Sequence, residues 1–181
     1  TLAGTGYGVI ATGEERFDSA DRDLWITGGP VQFAPGTVGG VENSLHGAHN
    51  VSAEIERRDD VRTAVPMSFQ TVYVGTEESD FETLVGVGAP ARGGSVQITE
   101  GEQFSQRDVH YADGTYDGPM TYEVVIDERT ARLLNVSVGD TLHIGGTIAD
   151  AREHEFTIVG ISPTYSRFLG TPTVVVQLAE L

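Results

Sequence analysis

The chain has 181 residues, with 27 acidic and 11 basic side chains, the basic ones all Arg; its formal net charge is −16, with no Lys and no Cys. Nothing on such a surface could neutralise a row of phosphates, which excludes nucleic-acid binding, and the lack of Cys excludes disulfides and thiolate metal sites. Apolar runs persist throughout, so the charge does not signal disorder; it points to a folded protein adapted to high salt, where a Debye length of about 3 Å screens repulsion between surface carboxylates.

No run approaches about 18 consecutive apolar residues, so no segment is expected to span a membrane as a helix. The first residue is Thr, and the chain is expected to be a piece of a longer protein. Residues 1–22 are Gly-rich and then charged. Leu24–Thr27 (LWIT) reads as a buried strand ended by Gly28-Gly29-Pro30. Asn43 or Ser44 could cap a helix running to about Asp60, in which Leu45, Ala48, Val51 and Ile55 recur at spacings of three and four and make one apolar face. Val61–Val74 reads as a long strand, bent or at a sheet edge because of Pro66. TEESDFE is a turn, Thr83–Val87 a strand, Gly88–Gly94 a glycine-rich loop and Val96–Thr99 a short strand. Residues 100–119 read as polar loop. Tyr122–Ile126 is a strand, after which Asp127 caps a short helix to about Asn135. Thr141–Ile144, Glu155–Ile161 and Thr173–Leu178 complete the strands. About two helices among eight to nine strands make the fold class α+β, strand-rich. One strand-helix-strand unit precedes a run of short strands, which predicts two lobes, residues 1–75 and residues 76–181.

Several stretches invite a chemical reading. His46 and His49 stand three apart near one face of the expected helix, a spacing that can bind a transition metal if a third ligand joins them. Asp108, His110, Asp113 and Asp117 gather between glycines, and Asp108, Asp113 and Asp117 are weak calcium candidates whose spacing does not match an EF-hand. GTGYG near the start lacks the Lys-Ser or Lys-Thr of a phosphate loop, and no Gly-x-Ser-x-Gly elbow is present. Asn50-Val51-Ser52 and Asn135-Val136-Ser137 are glycosylation sequons, which favour a surface location. Gly139-Asp140 sits between a helix and an alternating strand. Gly supplies unusual backbone angles and Asp bonds nearby backbone, so the pair reads as turn chemistry and not as catalysis. No catalytic residue, metal site or cofactor site is assigned.

The ordered set of elements resembles the extracytoplasmic core domain of MacB-like and FtsX-like ABC transporter permeases. EVVIDERTARLL, NVSVGDTLHIGG and HEFTIVGIS match that family's strand, short helix, Gly-Asp turn and following strands. DLWIT, VRTAVPMSFQTVYV, TLVGVGAPA and ITEGEQFSQRD match its upstream segments in order, so the resemblance runs from about Asp23 to Leu181. In the family the domain continues beyond the point matched by VVVQLAEL, so the resemblance implies either a piece cut short or a reduced version of the membrane-proximal lobe.

The resemblance implies a module outside the membrane, between two membrane helices of a permease, with no enzymatic activity and no cofactor. Residues 1–75 would form the membrane-proximal lobe and residues 76–181 the inserted β-rich lobe. Its partners would be a cytoplasmic ABC ATPase subunit, a second permease copy and an unknown substrate such as a lipoprotein or a peptide. Cut free from the membrane helices, the domain is expected to be a monomer or a weak dimer. Two other classes stay open: a free-standing or secreted hydrolase in which folding brings together residues such as Ser44, His46 and Asp140, and a cell-surface sensor or adhesion domain.

Overall fold

The computed structural model describes residues 24, 26–28, 45–89, 96–105 and 120–181. Leu24 and Ile26 are 73% and 48% exposed and are not in a strand, which corrects the expected buried strand LWIT; the sheet described below does not include them. An apolar run becomes a strand only where a neighbouring backbone takes up its hydrogen bonds.

Helix α1 (Ala48–Glu56) is shorter than the expected helix to Asp60. Gly47, at its N-cap, has φ 66, outside the helical range. At the other end Arg58 N–H donates to Ile55 O and Val61 N–H to Arg58 O, each at 3.1 Å, so the chain leaves through tight turns. Ala48, Val51 and Ile55 are half-buried, as their spacing predicts. The proposed caps Asn43 and Ser44 lie outside the described residues.

Strands β1 (Ser68–Glu77) and β2 (Asp80–Ala89) form an antiparallel hairpin, with Ser68 opposite Gly88 and Val74 opposite Glu82. The expected strand from Val61 starts two residues after Pro66, whose missing N–H cannot join a ladder. Nor is β1 an edge strand, since it lies between β2 and β5. The remaining elements are β3 (Glu100–Gly101), β4 (Glu123–Ile126), α2 (Glu128–Leu134), β5 (Thr141–Gly145), α3 (Ile148–Glu153), β6 (Glu155–Ile161), α4 (Thr164–Leu169) and β7 (Thr173–Gln177), followed by a 3-10 turn at Leu178–Glu180. Val96–Thr99 is not a strand; pairing begins one residue later, at Glu100, although Thr99 N–H already donates to Ile161 O at 2.8 Å. The α+β, strand-rich class holds, with four helices and seven strands among the described residues instead of two and eight to nine. None of these helices is long and apolar enough to cross a membrane.

The strands form one mixed sheet in the order β3-β6-β4-β7-β2-β1-β5, and β6 also pairs with β5. That last pairing closes six strands into a ring, because the start of β6 bonds β5 while its length bonds β4 on the other side. Strand periodicity then decides which side chains point into the ring. Val72 and Val74, Leu84, Val124 and Ile126, Leu142 and Ile144, Phe156 and Ile158, and Val174 and Val176 fill it and are all buried. A register shift between Val124 and Val125 opposes Val125 to Gly160, past Val159. Beyond it the parity of β6 changes, so Ile161 joins the interior while Val159 turns to the outer face. Each Val, Leu or Ile removed from water in this way contributes about 1.5–3 kcal/mol.

Two further pieces of chain complete the packing. Ala131 and Leu134 of α2, with Val136 and Val138, close over the ring, and Leu181 packs against it as well. A methyl group on Gly86 would stand 2.8 Å from both Leu181 Cδ1 and Val72 Cγ1, so the space that Gly86 leaves empty is the space that Leu181 fills. On the outer face, Val87, Ala89, Val125 and Val175 make a second core with Val96 and with Tyr165 of α4, whose ring meets Phe69 edge-on at 6.5 Å. Strand β1 crosses the expected lobe boundary at residues 75 and 76, and its pairing places it in the ring. Ser68, where β1 starts, and Val176, near the end of β7, both pair with Gly88 of β2. The chain therefore enters and leaves the ring on either side of one residue.

Candidate functional site

The most deeply placed carboxylate is Asp127, only 1% exposed, at the end of β4. Its Oδ1 accepts from Arg129 N–H at 2.7 Å and Thr130 N–H at 3.4 Å, which caps α2 as the sequence predicts. Its Oδ2 accepts from Thr173 N–H at 2.6 Å, Thr130 Oγ1 at 2.9 Å and Thr173 Oγ1 at 3.3 Å. One carboxylate thus caps a helix and fastens it to the start of β7, 46 residues away in sequence. The cap was legible from Asp127 and the three residues after it; the contact to Thr173 carries no local signal.

Gly139 and Asp140 lie where α2 hands the chain to β5. Gly139 has φ 96, a backbone state that favours glycine, and its N–H donates to Ile158 O at 2.8 Å. Asp140 Oδ2 accepts from Ser137 N–H at 2.8 Å, and Asp140 N–H donates to Ser137 O at 3.1 Å. Asp140 O in turn accepts from Ile158 N–H at 2.8 Å. The side chain is occupied in closing the turn, and the backbone on both sides of it is tied to β6.

Other polar groups are arranged in the same manner. Buried Ser162 donates from Oγ to Thr164 Oγ1 at 2.9 Å, and Thr164 Oγ1 accepts from Gln97 N–H at 3.0 Å, which pins the 96–104 segment to the start of α4. Thr121 donates through both its N–H and its hydroxyl to Glu180 Oε1, and its hydroxyl accepts from Gln177 Nε2 at 3.1 Å. Gln70 Nε2 donates to Leu181 O at 2.5 Å. Tyr122, with φ 52, stacks on His154 at 6.0 Å and meets Phe156 at 5.4 Å, while His154 Nδ1 lies 2.9 Å from Asp150 Oδ1. Arg58 bonds Asp60 through two nitrogens at 3.0 and 2.9 Å and holds its carboxyl below the usual range. Both groups are exposed to water, so this pair adds little to stability.

Of the residues singled out for metal chemistry, His46 is exposed and His49 half-buried, on either side of the start of α1. Among the described residues no three His, Cys, Asp or Glu side chains are grouped to hold an ion. Asp108, His110, Asp113 and Asp117 lie outside the described residues, as does Ser44 of the hydrolase reading. These contacts define a strand-built module in which buried polar groups fasten helix ends, turns and strand junctions to one another.

The family model for the MacB-like periplasmic core domain matches residues 1–181. The chain belongs to that family, which is one of extracytoplasmic transporter domains and not a class of enzymes. No curated protein matches the sequence. Among solved structures, the extracellular domain of the noncanonic ABC-type transporter YknZ from Gram-positive bacteria has the same fold, with TM-score 0.51 at 14% identity over 73% of this chain and 63% of that one. The periplasmic region of MacB from Actinobacillus actinomycetemcomitans matches with TM-score 0.49 at 12% identity over 72% of this chain and 54% of that one. The matches thus span less than two thirds of the length of either solved chain.

Proposed function

We propose that this chain is the extracytoplasmic domain of an ABC transporter permease, contacting a substrate or partner protein and moving with the cycle of a cytoplasmic ATPase. The observation that carries the reading is the family match over the whole chain. The close entry and exit of the chain at Gly88 support it, because a module inserted between two membrane helices must return to where it began. Residues 1–75 would lie nearest the membrane and residues 76–181 would form the inserted lobe, with β1 reaching from one into the other. Gly139 and Asp140 serve the fold, in keeping with the hydrogen bonds they make. A second permease copy, held nearby by its own membrane helices, would gain effective concentration without needing a strong contact. A lipoprotein or a peptide is the substrate class in view. The acidic, Lys-free surface suits external brine.

The test uses the full-length gene product in its own membranes. An ATP-hydrolysing subunit should co-purify with it, and in reconstituted vesicles the coupling of ATP hydrolysis to substrate should be lost when the ring from β1 to β7 is excised. A gene product with no hydrophobic segment and no associated ATPase would overturn the proposal and return the hydrolase and sensor readings.

A further inference from the structure

We infer that Asn135 is an N-glycan acceptor in the mature protein and that Asn50, the other sequon asparagine, is not; this rests on the extracytoplasmic placement proposed above. A sequon is by itself a frequent accident, and what separates the two here is backbone. Asn135 follows the last residue of α2, at φ 54 and ψ 50, outside any helix or strand. Along Asn135-Val136-Ser137 exposure alternates: Asn135 and Ser137 are exposed, while Val136 packs inward on the ring. The amide and the hydroxyl two residues on therefore both face solvent, on a segment that an enzyme can approach without opening the core. The chain on either side is fixed, by Val136 N–H to Ala131 O at 3.0 Å and by Ser137 N–H to Asp140 Oδ2 at 2.8 Å, so the sequon is presented in the folded protein. Asn50 is also exposed, but it is the third residue of α1 and Ser52 is half-buried. In a helix, residues two apart do not face each other, so that amide and hydroxyl diverge unless the helix opens.

The reaction is transfer of a glycan from a polyisoprenyl-phosphate-linked donor. A bond forms between Asn135 Nδ2 and the anomeric carbon, the anomeric carbon–oxygen bond to the phosphate breaks, and the amide proton leaves to balance the departing phosphate. The side chain gains a bulky, solubilising group on the outer surface of the loop, in a chain whose net charge is −16.

The experiment is tryptic mapping of the full-length protein isolated from its own membranes. Trypsin cuts at Arg only here, so Leu133–Arg152 is one peptide and Asp23–Arg57 another. The first is expected to carry an added mass of whole sugar residues, removed in Ser137→Ala and kept in Ser137→Thr; the second should be unmodified, and Asn50→Gln should change nothing. Ser137→Ala leaves Asn135 and its backbone in place, so loss of the mass there is not a folding artefact. Recovery of Leu133–Arg152 only at its unmodified mass, or sugar on Asn50 alone, overturns the inference. Protease added to intact cells or spheroplasts separates the two failures. If the domain is digested while Leu133–Arg152 is bare, this inference falls and the proposed placement stands; if the domain is protected, both fall.

Discussion

Replacing Asp127 tests whether the ring is held by chemistry or by shape. In Asp127→Ala the α2 cap is lost, which costs about 1 kcal/mol. Thr173 N–H, now donating to Oδ2 at 2.6 Å in a buried setting, is left without an acceptor at a cost of about 1–3 kcal/mol. The two hydroxyls can rotate to other partners; Thr130 Oγ1 already lies 3.1 Å from Thr173 O. The expected loss is therefore about 3 kcal/mol, a large share of the 5–15 kcal/mol typical of a domain. Asp127→Asn is the sharper test because it keeps the volume. Its amide nitrogen must face either Thr173 N–H or the N–H groups at the start of α2, donor against donor, so about 2 kcal/mol should still be lost. Thr173→Val removes only the 3.3 Å hydroxyl contact and should cost less than about 1 kcal/mol. The assay is urea unfolding at fixed salt, where with a slope of about 2 kcal/mol per molar the midpoint of Asp127→Ala moves down by about 1.5 M. An Asp127→Asn variant that unfolds at the parent midpoint would refute the reasoning, since it would mean that the contact to Thr173 is merely steric.

Asp140→Ala should lower stability by about 1 kcal/mol through loss of the Ser137 N–H contact, read in the same urea series; an unchanged midpoint would show that the turn holds without its side chain. Gly86→Ala should cost about 1–3 kcal/mol by overpacking against Leu181 and Val72, and adding Leu181→Ala should recover part of that loss; strictly additive effects would show that the two positions do not share the space. The melting temperature should rise between about 0.1 M and 2 M NaCl as the excess negative charge is screened, and a flat or falling curve would remove the salt-adaptation argument.

What the sequence showed most plainly was local chemistry. Glu155–Ile161 is legible to the residue because polar and apolar positions alternate from Glu155 to Ile158 and the apolar run continues to Ile161, and α2 because Asp127 opens it and Asn135 closes it in a left-handed turn. Helices α3 and α4 were missed because six residues make less than two turns and leave almost no period to detect. A proline suits an edge strand and a strand start equally, and in this sheet Pro66 sets where β1 begins. The closing of the sheet was illegible for another reason: β2 pairs with β7 and β4 with β6 in parallel, across long intervals of chain, and no local pattern names such partners. The Gly-Asp turn could be seen in sequence, but the two backbone bonds that bind it to Ile158 could not.

Because Ser68 and Val176 flank Gly88, the ring stands on two supports separated by two strand spacings, about 10 Å. A ten-residue strand such as β1 is about 30 Å long, and closing the ring tilts its strands by about 35–45°, so the far end lies about 23 Å away, roughly twice the separation of the supports. The closed hydrogen bonding resists shear between strands, and the ring answers a push as a stiff lever. If one support rises by about 1 Å against the other, the distal end swings sideways by about 2 Å. The loop carrying Gly139 and Asp140 leads into β5 at that distal end and would swing with it.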